Sequence, residues 1–165
     1  MKIISLASLK KSLILILVFI IAYFFFIFIS NKFSPQDVEL KAETILIGNQ
    51  PVSIPSGNFL IKDQTEFNNI WKKILGEDSS PPTMDFSSKI AVAVISEQKS
   101  TSGFSLVVDK VFLKDNFVEV NISEISPGQN CFLTQSIAQS FHVFSLPKFE
   151  KEYKLNIISK IQNCF

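Results

Sequence analysis

The hydrophobic residues of this chain form one long run near the N-terminus and several shorter runs after it. The long run, Leu13–Ile29, holds 17 residues without a charge, nearly all of them Leu, Ile, Val or Phe. As a helix it would measure about 26 Å at a rise of 1.5 Å per residue. The hydrocarbon core of a bilayer is about 30 Å thick. We therefore predict an N-terminal transmembrane helix within residues 1–30.

The shorter hydrophobic runs predict a β-rich domain. Seven segments are rich in Val, Ile and Phe or alternate between hydrophobic and polar residues, and turn-forming residues separate them. They are 44–48, 58–62, 89–96, 104–113, 117–123, 141–146 and 152–159. Because tight turns can join most consecutive segments, we expect a largely antiparallel sheet or sandwich of about six or seven strands.

One segment, 63–76, has the periodicity of a helix. Its hydrophobic residues recur at i, i+3, i+4 and i+7 and form one stripe: Phe67, Ile70, Trp71 and Ile74. Asp63 is placed to cap its start, Glu66 to complete a capping-box-like pair, and Gly76 to end it. The stripe should pack on a sheet. The predicted fold class is therefore α+β, predominantly antiparallel β, with one packed amphipathic helix.

The order of these segments predicts three regions. Residues 1–30 are a signal anchor, 31–43 are a polar tether, and 44–165 are an exported β-rich domain. Lysines precede the long run at positions 2, 10 and 11 and predict a cytoplasmic N-terminus.

The fate of the anchor has two readings. No small-x-small cleavage pattern follows Ile29, which favours an uncleaved signal anchor and a single-pass protein of a bacterial cell envelope. The alternative is secretion after cleavage at a poor site. Both place the β-rich domain outside the cytoplasm.

The charges of the exported part argue against a nucleic-acid partner. All 16 basic residues of the chain are Lys, and 13 of them follow residue 30, where all 15 acidic residues also lie. The exported part therefore has a net charge of −2, with no basic face and no arginine to hold phosphates.

Few residues of the sequence suggest catalysis or the binding of a metal or cofactor. None of the common catalytic, phosphate-binding or zinc-binding motifs occurs, so we predict no catalytic residue, no metal site and no cofactor. Cys131 and Cys164 can form a disulfide in an oxidising compartment; separate thiols are the alternative. An enzyme in which Cys131 is the nucleophile and His142 its base is a second alternative.

Five motifs in a fixed order suggest a family. They read EFNNIW, PPTMDFSSKIAVAVI, KSTSGFSLVV, VEVNISEISPGQNC and TQSIAQSFHVFSLPK. Over roughly residues 58–148 the chain resembles the C-terminal domain of the PrcB family, named for a subunit that stabilises a bacterial surface protease complex. That family usually has T-G-G-Y in the turn, where this chain has Thr101 to Phe104.

The resemblance and the anchor together predict a non-enzymatic, membrane-tethered binding module. Its expected partner is another exported or membrane protein, such as a protease, that it binds or stabilises. The candidate partner-binding loop consists of Lys99, Ser100, Thr101, Ser102, Gly103 and Phe104. Three alternatives stay open: a purely structural turn, a structural envelope domain without a discrete site, and an inhibitory loop similar to that of chagasin-type protease inhibitors.

Overall fold

The computed structural model describes residues 16–27 and 37–164. The chain divides into two units, Met1–Gln36 and Asp37–Phe165. In the first unit, residues 16–27 form helix α1, and all of its side chains are exposed. No helix in the described ranges combines the length and the hydrophobicity needed to cross a membrane. Both ends of the predicted transmembrane run, 13–15 and 28–29, lie outside those ranges.

The second unit, as far as residues 37–164 describe it, contains ten strands and one further helix. Their bounds are β1 Val38–Leu40, β2 Glu43–Asn49, β3 Gly57–Ile61, α2 Gln64–Leu75, β4 Lys89–Ile95, β5 Lys99–Thr101, β6 Ser105–Leu113, β7 Phe117–Pro127, β8 Gln135–Ala138, β9 Ser140–Pro147 and β10 Glu152–Gln162. The prediction of six or seven strands was therefore too low.

The strands form two four-stranded sheets and one small ribbon. Sheet A has the order β1-β6-β7-β10, sheet B has the order β2-β9-β4-β3, and β5 pairs with β8. Every pairing is antiparallel except that of β7 with β10, which is parallel. The prediction of an α+β fold with mostly antiparallel strands is confirmed.

Helix α2 begins and ends where the sequence predicts. The side chain of Asp63 accepts a hydrogen bond of 2.8 Å from the backbone N–H of Glu66. Gly76 has φ +97°, and its N–H donates to the carbonyl of Lys72 at 2.7 Å. That left-handed conformation suits glycine and stops the helix. The hydrophobic stripe of α2 is buried.

Two hydrophobic layers hold the domain together. In one, α2 packs on the outer face of sheet B; in the other, the inner face of sheet B packs on sheet A. Strand β4 serves both layers, because Ala91, Ala93 and Ile95 face the helix while Ile90, Val92 and Val94 face sheet A. This arrangement explains why β4 is hydrophobic at every position from Ile90 to Ile95.

The predicted tether, 31–43, ends earlier than the sequence suggested. Residues 31–36 lie outside the described ranges, but Val38–Leu40 form β1, and β2 starts at Glu43. Leu40 packs against the core between the two sheets. Strand β1 is held there by antiparallel pairing with β6.

Strand β10 lies in the sheet opposite to that of β9. The two are consecutive and joined by a short connection, yet β10 pairs parallel with β7 in sheet A. Tyr153 fixes this connection, since its hydroxyl accepts from the N–H of Phe149 at 2.9 Å and donates to the carbonyl of Pro147 at 3.0 Å. Tyr153 and Leu155 then pack against the core between the sheets.

Candidate functional site

The candidate loop Lys99–Phe104 is more than a tight turn between two strands. Its first half is β5, which is not part of sheet B. This strand pairs antiparallel with β8, so that Lys99 lies opposite Ala138 and Thr101 opposite Gln135. The loop therefore belongs to a separate two-stranded ribbon, whose second half is supplied by the segment after β7.

Ser102 is tied to Thr134 on the facing segment by three hydrogen bonds. The N–H of Ser102 donates to the carbonyl of Thr134 at 3.0 Å. The hydroxyl of Ser102 accepts from the N–H of Thr134 at 3.1 Å and from its hydroxyl at 2.8 Å. The tip of the candidate loop thus moves together with the facing segment.

Gly103 is required by both its conformation and its surroundings. Its φ is +95°, a region that residues with a β-carbon rarely adopt. A β-carbon at this position would lie 3.0 Å from a methyl of Leu133 and 3.2 Å from the ring of Pro127. The conformational freedom of glycine at position 103 lets the loop pass close to these two side chains.

Lys99 has two partners and borders a cleft. Its Nζ lies 3.8 Å from a carboxylate oxygen of Glu124 and 5.4 Å from the ring centre of Phe104. With Glu97 and Ile157 it lines a cleft of about 260 Å³ to which both sheets contribute. The cleft is polar and open, and its one lysine already faces a carboxylate.

The facing segment, 131–138, exposes hydrophobic side chains that sequence reasoning missed. The side chain of Phe132 is fully exposed, at 106% of its reference area, and Ile137 is 60% exposed. Leu133 is 39% exposed and lies against Gly103. In the sequence these residues look like a short core segment. Only a hydrophobic triplet between polar residues could have indicated an exposed surface.

A disulfide joins Cys131 to Cys164, with 5.0 Å between their Cα atoms. It ties the start of the facing segment to the residues that follow β10. Two hydrogen bonds reinforce the junction: Gly128 N–H to the carbonyl of Gln162 at 2.8 Å, and Cys164 N–H to the side-chain oxygen of Asn130 at 3.3 Å. The facing segment is thus fixed at its start.

His142 joins the two sheets from within the core, where only 5% of it is exposed. Its Nδ1 lies 3.2 Å from the carbonyl of Leu106, and its Nε2 lies 3.0 Å from the hydroxyl of Thr44. Because a carbonyl can only accept, Nδ1 carries the proton and Nε2 accepts from Thr44. Burial lowers the pKa of His142, and the hydrogen bond to Leu106 only partly opposes this effect.

The alternative pair of Cys131 and His142 is not assembled as a nucleophile and a base. Cys131 is bonded to Cys164, and both ring nitrogens of His142 have other partners. Within the described ranges, no group of three or more His, Cys, Asp or Glu side chains is arranged to hold a metal ion.

These observations define a small β-sandwich domain with a helix on one sheet and a fixed pair of loops at one end. Residues 90–146 match the family model described as PrcB C-terminal, about a third of the chain. The predicted resemblance to the PrcB C-terminal domain is confirmed over these residues, which run from β4 to β9 and include the whole ribbon. No curated protein and no solved structure gives a significant match.

Proposed function

We propose that this chain is a non-enzymatic, membrane-tethered module of the cell envelope that binds or stabilises an exported partner protein, with an envelope protease as the first candidate. The observation that carries the proposal is the pair of loops formed by Lys99–Phe104 and Cys131–Ala138, which we call the loop platform. The family match includes both halves of the platform, and the PrcB resemblance suggests the protease-related partner.

The loop platform has the properties of a protein-binding surface. Phe132 has a large hydrophobic side chain that is fully exposed on the domain surface. Exposed aromatic residues at the centre of a patch often supply most of the binding energy. Leu133 and Ile137, on the same segment, are also exposed hydrophobic residues.

The platform is also held in place before any partner binds. The disulfide fixes Cys131, and the hydrogen bonds between Ser102 and Thr134 fix the two loops to each other. Less conformational entropy is then lost on binding, which increases affinity. Loops held by a rigid scaffold are a common location of binding sites.

Two features support an extracytoplasmic, membrane-tethered location. The uncharged run Leu13–Ile29 has the length of a signal anchor, and lysines precede it. The disulfide is suited to an oxidising compartment. In this proposal the N-terminus lies in the cytoplasm and residues 37–164 lie outside it.

A non-enzymatic role is supported by the partners of the two residues best suited to nucleophilic chemistry. Cys131 has no free thiol because it is bonded to Cys164. His142 is buried, and both of its ring nitrogens have hydrogen-bond partners. Neither is available to act on a substrate.

The test is crosslinking of the full-length chain in its native membrane, followed by purification and mass spectrometry. We expect one exported protein to be recovered with the wild type, and at least tenfold less of it with Phe132→Ala. Val38→Ala is the matched control, because Val38 is also an exposed hydrophobic residue (52%) but lies on β1. Equal recovery with Phe132→Ala and the wild type would contradict the proposal.

A further inference from the structure

Strand β10 forms one edge of sheet A, and no strand in the described part of the chain pairs with its outer side. It is 11 residues long, and every residue from Asn156 to Gln162 is exposed. Three of these are hydrophobic: Ile157, Ile158 and Ile161 are 43%, 53% and 77% exposed. A long, exposed, partly hydrophobic edge is a surface on which another strand can pair.

Two of the devices that usually prevent such pairing, a proline and a β-bulge, are absent from β10. It contains no proline, and its ladder with β7 runs from Glu152 to Gln162 without a bulge. By contrast, β1, at the other edge of sheet A, has only three residues. Sheet A therefore has one protected edge and one that is regular over its full length.

The charges on the outward face of β10 indicate which strand fits. Alternate residues of a strand share a face, and here that face carries Glu152, Lys154, Asn156, Ile158 and Lys160. If a second β10 pairs antiparallel with Asn156 opposite Asn156, Glu152 of each copy faces Lys160 of the other. Opposite charges in directly facing positions stabilise an antiparallel pair.

Shifting the register loses this complementarity. With Ile157 opposite Ile157, Lys154 would face Lys160 twice, and like charges in facing positions are destabilising. The register centred on Asn156 instead places Lys154 opposite Ile158 and pairs nine residues, from Glu152 to Lys160.

We propose that the chain forms a two-fold symmetric homodimer in which β10 pairs antiparallel with β10 of a second copy, centred on Asn156. The two copies of sheet A become one sheet of eight strands. A two-fold axis makes the interface self-complementary, so both ion pairs form together. Within each copy Lys160 already lies 3.0 Å from Asp109, and its ammonium has three donors with which to bind Glu152 of the second copy as well.

Asn156→Cys tests the symmetric register in the full-length chain in its native membrane. Facing residues of an antiparallel pair have Cα atoms about 4.5–5.5 Å apart, which is within disulfide range. Under mild oxidation we expect a covalent dimer, seen on a non-reducing gel and lost on reduction. Ile158→Cys is the matched control, since the two copies of residue 158 would be offset by about 14 Å along the strands at 3.4 Å per residue.

A monomeric Asn156→Cys, or equal crosslinking at positions 156 and 158, would overturn the homodimer. The wild type serves as the background, because both of its cysteines are already paired.

Charge reversal gives an independent test. In the Asn156→Cys background, Glu152→Lys should lower the crosslinking yield about tenfold at low salt, because lysine would then face Lys160. Adding Lys160→Glu should restore it. A yield insensitive to both changes would contradict the proposed register. Neither result depends on capture of the exported partner through Phe132, so the two proposals fail separately.

Discussion

Ser102 and Thr134 hold the two loops of the platform together through three hydrogen bonds, although 32 residues separate them in the sequence. The hydroxyl of Ser102 accepts two of the three. A small hydroxyl residue at the tip of one loop therefore positions the backbone of the other loop, next to the exposed Phe132.

Ser102→Ala should loosen the platform without unfolding the domain. The change removes two hydrogen bonds at an exposed site, so we expect the free energy of unfolding to fall by about 1 kcal/mol. The amide of Thr134 should exchange with solvent markedly faster, which hydrogen exchange with mass spectrometry or NMR would detect. Unchanged exchange at Thr134 would show that the Ser102 hydroxyl does not hold the loop.

The stability of the domain should depend on pH through His142. Burial lowers the pKa of His142 below 6.5, the value expected in the unfolded chain. Below pH 6.5 the unfolded chain binds a proton that the folded chain does not, so stability falls as the pH decreases towards the folded pKa. Above pH 6.5 neither state binds this proton, so the loss of stability is absent.

Urea unfolding of the wild type and of His142→Gln between pH 5 and 8 would measure this dependence. Glutamine does not titrate, so its curve should be flatter below pH 6.5. Parallel curves for the two proteins would mean that His142 does not carry the effect.

The disulfide between Cys131 and Cys164 should contribute about 3 kcal/mol to stability, since it closes a long loop in the unfolded chain. Replacing both residues by Ser removes the bond without leaving a free thiol. Guanidinium unfolding should show a lower midpoint for the double variant, and hydrogen exchange should rise near Gly128 and Gln162. An unchanged midpoint after complete reduction of the wild type would refute this expectation.

Gly48 and Phe141 face each other across β2 and β9, and the aromatic ring occupies the space above the glycine. A β-carbon at Gly48 would lie 2.4 Å from the ring of Phe141, so Gly48→Ala should cost about 1–3 kcal/mol. Phe141→Leu relieves the overlap, and thermal unfolding should show the double variant to be less destabilised than the sum of the single variants. Strict additivity would mean that the ring moves away freely.

Sequence patterns predicted correctly those elements that are determined by interactions between residues close together in the chain. The stripe of α2 and its cap at Asp63 could be identified because helical periodicity and capping act within a few residues. The hydrophobic run of β4 indicated a strand covered on both faces, which it is.

The remaining features depend on distant parts of the chain. The alternation of Tyr153 and Leu155 predicts a strand but does not indicate its partner, so the parallel pairing with β7 could not be derived. Val38–Leu40 is too short to show a period. Phe132 could not be recognised as exposed, because an exposed phenylalanine and a buried one look the same in a sequence.

The parallel pairing of β10 with β7 has a consequence for biosynthesis. Sheet A is completed only when Ile157 lies beside Ile122 and Gln162 lies beside Pro127, and these partners of β7 follow it in the chain only after β8 and β9. Until then one side of β7 lacks its neighbour. Such long-range contacts form late and slowly. Sheet A therefore cannot be completed until β10 has been translated, and a protein truncated after β9 would retain an incomplete sheet.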